Sequence, residues 1–532
     1  MIRTPCLKAG VLFESFFVGN PTVTENGGLP LTQSLVDTVN KTLDWTDDIL
    51  RERLSGACVD GQYIHLNLRK HLADILYLPL DLMNDSVMWD AAHRLELACH
   101  HAKEGYTVRK QRVGGTNWLL ELDDVLQHIM KLFRFGHNHS DLRKICVERE
   151  QVFLEFNLFS ETRFIQYSHR TYDHFVRMFS ILCEKIKRDE ETALTSKEQR
   201  DADTIQNLLV QLELVIDLLF MMDLSHLLAS FSKEFQRFDV VPFYAMNMYW
   251  LLKNHLNAAR DSFNLLKVPV SIHLHEHGST YVVWQALEIN VKTIKESQSF
   301  QNIRLLLPSE RGNVTRSGNI FCYDRDEFDS IVIQRFKGYR IYLDLLLTEL
   351  QSRFEPWPEW LVLSERALNF SNDLELRDRT EAFVELLEVP YCVNPLLDDE
   401  KRRLTSEYVT LHKNAMTILE TQKQDKIKLK PEKIWYVLLT EESYYRNCKF
   451  INHFCLKLLN RSINECIVES EVSSMTKIQT GGRPIKAENS EKLNFIASNG
   501  PHPLVSSDLV DDMLTNYFGK DWHFTIANSK WY

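Results

Sequence analysis

The sequence predicts an α/β segment leading into a long all-α body. Three observations predict it. Glycine and proline are scarce, at 18 and 15 in 532 residues, against roughly 7% and 5% in an average soluble protein. A helical period dominates from about residue 89 to 430, and short apolar runs bounded by turn residues gather in the first 88. One hydrophobic core stops growing near roughly 250–300 residues, so the chain is expected to divide into units 1–88, 89–430 and 431–532.

In chain order, Gly10-Val11-Leu12-Phe13 and Phe16-Phe17-Val18 are short apolar runs, and Leu29 to Leu43 has helical spacing through Leu31, Leu35, Val36 and Val39. Gly56-Ala57-Cys58-Val59-Asp60-Gly61 reads as a short buried strand ending in an acid and a turn residue. Tyr172, Phe175, Phe179 and Leu182 trace one core-facing helical stripe, and Ile205, Leu208, Leu209, Leu212, Ile216 and Leu219 another. The charged stretch Arg188 to Asp203 lacks an apolar stripe and is expected as an exposed loop or frayed helix end. Val268 to Val283 alternates around Gly278 and reads as a hairpin. Pro431 resets the chain before two helices carrying Ile434, Leu438, Cys448, Ile451, Cys455 and Leu458, and a last apolar helix spans 490–498.

Lys and Arg number 62 against 73 Asp and Glu, a net charge of −11. That balance excludes a body that grips nucleic acid throughout, because phosphate binding needs clustered cations. Ten cysteines without a C-x-x-C pair fit reduced intracellular thiols. Lys8, Glu14 and the lack of a small-residue cleavage pattern speak against a signal peptide, so secretion is not expected. The most apolar window, Ile205 to Phe231, carries Glu213, Asp217 and Asp223, and acids at that density are costly in a bilayer. No membrane span and no small-molecule substrate are expected.

Several groups could carry chemistry. Asp60, at the end of a buried strand, would point into the crevice where α/β sheets hold ligands, and paired carboxylates there can bind divalent metals; a lone Asp-Gly is more often a turn. Asp90 and His93 share a face at a helix start, where Asp90 suits an N-cap. Gly114-Gly115-Thr116-Asn117-Trp118 enters an amphipathic helix but lacks the lysine of a phosphate loop. His273, His275 and His277 fall on one strand face, an arrangement that could bind Zn²⁺ or Cu²⁺ but more often is a solvated face. Lys423, Lys426, Lys428, Lys430 and Lys433 form the densest basic run, commonly a solvated linker.

Taken in order, the segments FFVGNPTVTENGGLPLTQSLVDT, RERLSGACVDGQYIHL, DAAHRLELA, GTNW, SETRF, IWYVLLTEESYYRNCKFINHFCLKLL, ECIVESEVSSMTKIQT and SEKLNFIASNGP resemble transposases of the hAT superfamily, nearest its domesticated vertebrate branch. The resemblance covers about residues 10 to 500. It implies a ribonuclease-H-like fold split by a long all-helical insertion at 89–430, and completed by a C-terminal region, 431–532, through which such proteins dimerise. By the same resemblance Asp60 and Glu469 occupy catalytic acid positions. Asp90 and His93 match a D-x-x-H pair and Trp118 a tryptophan that stacks near DNA bases.

The sequence departs from the family pattern in ways that bear on activity. The chain is read as starting after the strand that carries the family's first Asp, and no N-terminal zinc finger precedes it. Asn117 stands where the family has Arg, as does Ser470 after the catalytic Glu, and Val472 replaces a Phe. The expectation is a transposase-derived nuclear protein without strand transfer, which dimerises through 431–532 and binds DNA weakly. No cofactor is expected, and Mg²⁺ or Mn²⁺ only if activity persists. Two other readings stand beside it: an active metal-dependent DNA strand transferase or nuclease, and a nuclear protein-interaction or modification factor built on the helical part.

Overall fold

The computed structural model describes residues 2–462 except 9–10, 17, 19–24, 109–110, 114, 157–158, 160–163, 193–194, 238–239, 264–271, 277–278, 311–323, 390–395 and 425–429. The expected features at Glu469, His277, Gly278, Gly114, Lys426, Lys428 and 490–498 lie outside the described residues. The chain is mostly helical with a few short strands, and it folds as two units. One comprises Met1–His93, Phe235–Asn247 and Pro356–Tyr532, and the other Arg94–Glu234 and Met248–Glu355.

The first 93 residues hold the expected α/β segment. Strands β1 (Ile2–Lys8) and β2 (Val11–Phe16) pair antiparallel, and helices α1 (Gly28–Leu43) and α2 (Asp47–Arg53) follow. Thr46 caps α2 by accepting from the Ile49 backbone N–H. Next come β3 (Ala57–Val59), α3 (Gly61–His65), α4 (Leu68–Leu76), α5 (Leu80–Ser86) and β4 (Val87–Trp89). β3 and β4 run parallel in the register Ala57 to Val87, Cys58 to Met88 and Val59 to Trp89, joined by α3, α4 and α5, as a parallel crossover requires. Arg69 on α4 pins the start of β4, its Nη2 and Nε donating to the Val87 carbonyl at 2.8 and 3.2 Å. Val36, Leu50, Leu72, Leu76, Leu82 and Val87 close a small core over this segment.

Helix α6 (Ala91–Glu104) leads into the second unit, which holds the hairpin β5 (Tyr106–Val108) and β6 (Gln111–Val113) and helices α7 (Asn117–Phe133), α8 (Gly136–Glu148), α9 (Phe164–Thr192), α10 (Ser196–Leu209) and α11 (Leu212–Phe235). The stripe read as one helix through Ile205 and Leu219 is therefore two helices. The chain breaks at Val210 and Gln211, where Leu306 forms a single-residue β-bridge: Leu306 N–H donates to Val210 O at 2.7 Å and Leu212 N–H to Leu306 O at 3.2 Å. The charged stretch 188–203, expected as an exposed loop or frayed helix end, is largely helix among its described residues, at the end of α9 and the start of α10. Ion pairs across to the end of α8, Arg149 to Glu184 and Arg188 to Glu148, brace the end of α9.

Helix α12 (Pro242–Ser262) is followed by the expected hairpin, β7 (Ile272–Glu276) and β8 (Ser279–Val283), with His273 opposite Val282 and His275 opposite Thr280. Then come α13 (Gln285–Ser297), the short pair β9 (Ser299–Phe300) and β10 (Ile303–Arg304), and the 30-residue helix α14 (Arg325–Phe354), whose N-cap Asp324 accepts from the Asp326 and Glu327 N–H groups. Phe220 of α11 stacks on Tyr339 of α14 at 3.9 Å and on Trp284 at 5.0 Å, which fixes the centre of this unit.

The acids inside the apolar α11 have partners. Asp223 accepts from the Ala286 and Leu287 N–H groups at 3.2 and 2.9 Å, capping α13 from a distance. Asp217 accepts from the Tyr339 hydroxyl at 2.6 Å, with Arg335 at 3.5 Å. Among the described helices, α11 is the one long and apolar enough to cross a membrane, and 72% of that stretch is buried within the chain. Burial pushes Asp217 up to about 7, against the opposing pull of Arg335 and the Tyr339 hydrogen bond, and pushes Asp223 up to about 6.

Both values exceed the ordinary carboxyl value of about 3.9, so the folded chain keeps protons that the unfolded chain has released. Stability therefore falls as pH rises from about 4 through those values. Asp217→Asn is expected to remove its share of that fall. Its advantage over the parent should grow between about pH 4 and 7 by something on the order of 3 kcal/mol, then level off. Urea unfolding of both proteins across that range checks it, and a difference independent of pH would contradict it.

The chain returns to the first unit at Pro356, well before residue 430. Helices α15 (Glu359–Leu368), α16 (Leu376–Glu388), α17 (Asp398–Gln424), α18 (Pro431–Thr440), α19 (Glu442–Tyr445) and α20 (Lys449–Leu459) share one buried cluster with Leu12, Phe13, Met88 and Phe243. The helical unit ends at Glu355, about 75 residues before the expected 430 boundary, because α15 to α17 bury their apolar faces in one cluster with α18, α20, Leu12 and Phe13. Trp435 Nε1 donates to Leu368 O at 3.1 Å and the Tyr408 hydroxyl to Ala367 O at 2.5 Å, tying α18 and α17 to α15.

On α18 and α20, Ile434, Trp435, Leu438, Ile451, Phe454, Cys455 and Leu458 are buried in the chain's own core.

Candidate functional site at the ends of two parallel strands

Because Val59 lies opposite Trp89 in a parallel pair, the next residue on each strand, Asp60 and Asp90, emerges at the same level of the same sheet edge. The Asp90 N–H donates to Val59 O at 3.1 Å, extending the ladder to that point. This C-terminal edge of parallel strands is where α/β folds present ligand-binding groups. The strand β3 is half-buried rather than fully buried as expected, since only a two-stranded parallel ladder is formed among the described residues.

Asp90 turns the chain from β4 into α6. Its Oδ1 accepts from the His93 backbone N–H at 2.6 Å, the N-cap expected of an Asp three residues before a helical donor. Asp90 is only 6% exposed. That bond sets the His93 ring over the neighbouring strand end, where Nε2 lies 3.0 Å from Asp60 Oδ1. Asp60, Asp90 and His93 are thus brought together: one acid orients the histidine backbone and the other meets its ring. Both the Asp60 and His93 side chains are about one-third exposed, so solvent reaches the contact.

Trp89 and His65 belong to the same site and were not singled out from the sequence. The Trp89 indole lies between His93, at 6.4 Å, and His65 at the end of α3, at 6.3 Å in an edge-on contact. Gly61 lets this happen, because a Cβ there would come 2.7 Å from Trp89 Cζ2. The signal was present in the paired dipeptides Asp60-Gly61 and Trp89-Asp90, but it has meaning only once the two strands are known to be neighbours.

Trp118 lies in the other unit. It is half-buried on α7, with ring contacts to Tyr339 at 5.1 Å, Phe220 at 5.8 Å and Tyr342 at 6.1 Å. Its neighbour Asn117 is exposed. Thr116 fixes the entry to α7 by donating its hydroxyl to Ala102 O at 3.0 Å and its N–H to Lys103 O at 2.7 Å. This setting gives Trp118 a packing role, and a base-stacking role rests on the resemblance alone.

A Mg²⁺ or Mn²⁺ centre for phosphoryl transfer needs several carboxylate oxygens around the ion. Among the described residues no group of three or more His, Cys, Asp or Glu is gathered to hold a metal. Asp90 is committed to its helix cap, Asp60 faces a histidine, and Glu469 lies outside the described residues. The described residues do not fit a two-metal site. No family model, no curated protein and no solved structure matches the chain.

Proposed function

We propose that this chain is a transposase-derived nuclear protein of ribonuclease-H-like fold that does not cut DNA, dimerises through residues 431–532 and contacts DNA weakly. The observation that carries the reading is the meeting of Asp60 with Asp90 and His93. These residues come from motifs 30 positions apart, and they converge at the ends of adjacent parallel strands, where a ribonuclease-H-like fold keeps its acids. The non-cutting part rests on the use of those groups for a cap and an Asp–His contact, and on Asn117, Ser470 and Val472 at the motif positions.

Binding is expected in the sequence-independent range, micromolar or weaker at physiological salt, and to weaken steeply as salt rises. Fluorescence anisotropy with a labelled duplex measures it. No change in anisotropy even at low salt would remove DNA from the proposal. The active-nuclease reading draws on the same two acids at one edge, and strand cleavage separates the two readings.

A further inference from the structure

We propose that His169 on α9 and His226 on α11 form a two-histidine site for a divalent transition-metal ion of the Zn²⁺ or Cu²⁺ type, linking the two helices within the second unit. The geometry points to it directly. Two imidazoles that share a tetrahedral ion, with metal–nitrogen bonds of about 2.0–2.1 Å, hold their ring centres about 5 Å apart. These two rings are 5.1 Å apart at an interplanar angle of 60°.

The surroundings favour a ligand at this point. His169 Nδ1 is buried and has no hydrogen-bond partner among the described residues, so its polar atom is left without a partner that an ion or its bound water would supply. His226 is exposed, which gives an ion a route in. Asp173, one turn along α9 from His169, offers a negative charge nearby, while Arg170 and His174 are the positive or titratable groups on the same helix.

No third protein ligand is gathered among the described residues, so water completes the coordination. A two-imidazole set suits Cu²⁺ over Zn²⁺ in affinity, following the usual order for nitrogen ligands. Nothing in this inference depends on the transposase reading.

The test is titration of the full chain with ZnCl₂ and with CuCl₂ alone, followed by calorimetry and by thermal unfolding. His226→Ala removes an exposed ring and should fold as the parent does. It is expected to lose one equivalent of ion, or to bind it at least about tenfold more weakly, and to lose the metal-induced rise in Tm. His169→Ala should do the same, and a His273→Ala, His275→Ala double variant should retain the site. If His226→Ala keeps the parent's stoichiometry, affinity and Tm rise, or if the parent shows no equivalent that depends on His226, the proposal is overturned.

Discussion

Ending the chain at residue 430 is expected to unfold the first unit, whereas ending it at 462 keeps the cooperative transition. The first cut removes α18 and α20, whose Ile434, Trp435, Leu438, Leu439, Ile451, Phe454, Cys455, Leu458 and Leu459 all lie in the unit's main core. At about 1.5–3 kcal/mol for each large buried apolar side chain, the loss rivals or exceeds the roughly 5–15 kcal/mol by which a folded domain outlasts its unfolded state. Circular dichroism and urea unfolding of the two truncations measure it. A 430-residue chain that keeps the parent's transition would show that α18 and α20 are not core helices. The apolar faces of α18 and α20 are used within the chain, so the proposed dimer is not expected to depend on them, and light scattering should give a dimer for the full chain. A full chain that is monomeric at micromolar concentration would remove the dimer.

Arg379→Ala is expected to destabilise the first unit by about 3–5 kcal/mol. Arg379 is fully buried in α16. Its Nε donates to Leu374 O at 3.0 Å, its Nη1 to Asn369 O at 2.8 Å and Arg366 O at 3.3 Å, and its Nη2 to Asn372 O at 2.7 Å and to the Asn372 side chain. One guanidinium thus holds the turn between α15 and α16 by satisfying backbone carbonyls that the helix end leaves open. Alanine would bury those carbonyls without donors. Lysine recovers little, because an ammonium on a single stem cannot fork among them. Chemical denaturation gives the difference, and a loss below about 1 kcal/mol would mean that water replaces the guanidinium at no cost.

Much of the helical body could be read from the sequence, and much of its assembly could not. Leu31, Val36 and Val39 marked α1 correctly, and the alternation from 268 to 283 marked the hairpin whose described strands are β7 and β8, because both periods are local. The strand β4 is three residues, Val87-Met88-Trp89, too short for a period to register, and it becomes visible only through its pairing with β3. Periodicity likewise says that α15 to α17 have apolar faces but not which core takes them, so residues 356–424 read as part of the insertion although they share one buried cluster with α18, Leu12 and Phe13. Arg379 sits among Arg377, Asp378 and Glu381 in the sequence and resembles a solvated face. Only the carbonyls of the preceding turn explain its burial.

The candidate site was more legible than the fold around it. Asp60, Asp90 and His93 were each singled out from local chemistry, a strand-ending acid and a capped helix start, and the structure puts all three at one sheet edge. Trp118 was singled out as well, but its partners Phe220, Tyr339 and Tyr342 are distant in sequence, so nothing local could show that its ring is packed in an aromatic cluster. His65 and Trp89 were missed for the same reason.

The most direct measurement is incubation of a labelled DNA duplex with the full chain in Mg²⁺ or Mn²⁺, with the products resolved on denaturing and native gels alongside Asp60→Ala. The proposed function predicts a salt-sensitive retarded complex with both strands intact, alike for the parent and the variant. Strand breaks made by the parent and absent with Asp60→Ala would contradict it and make the chain a nuclease.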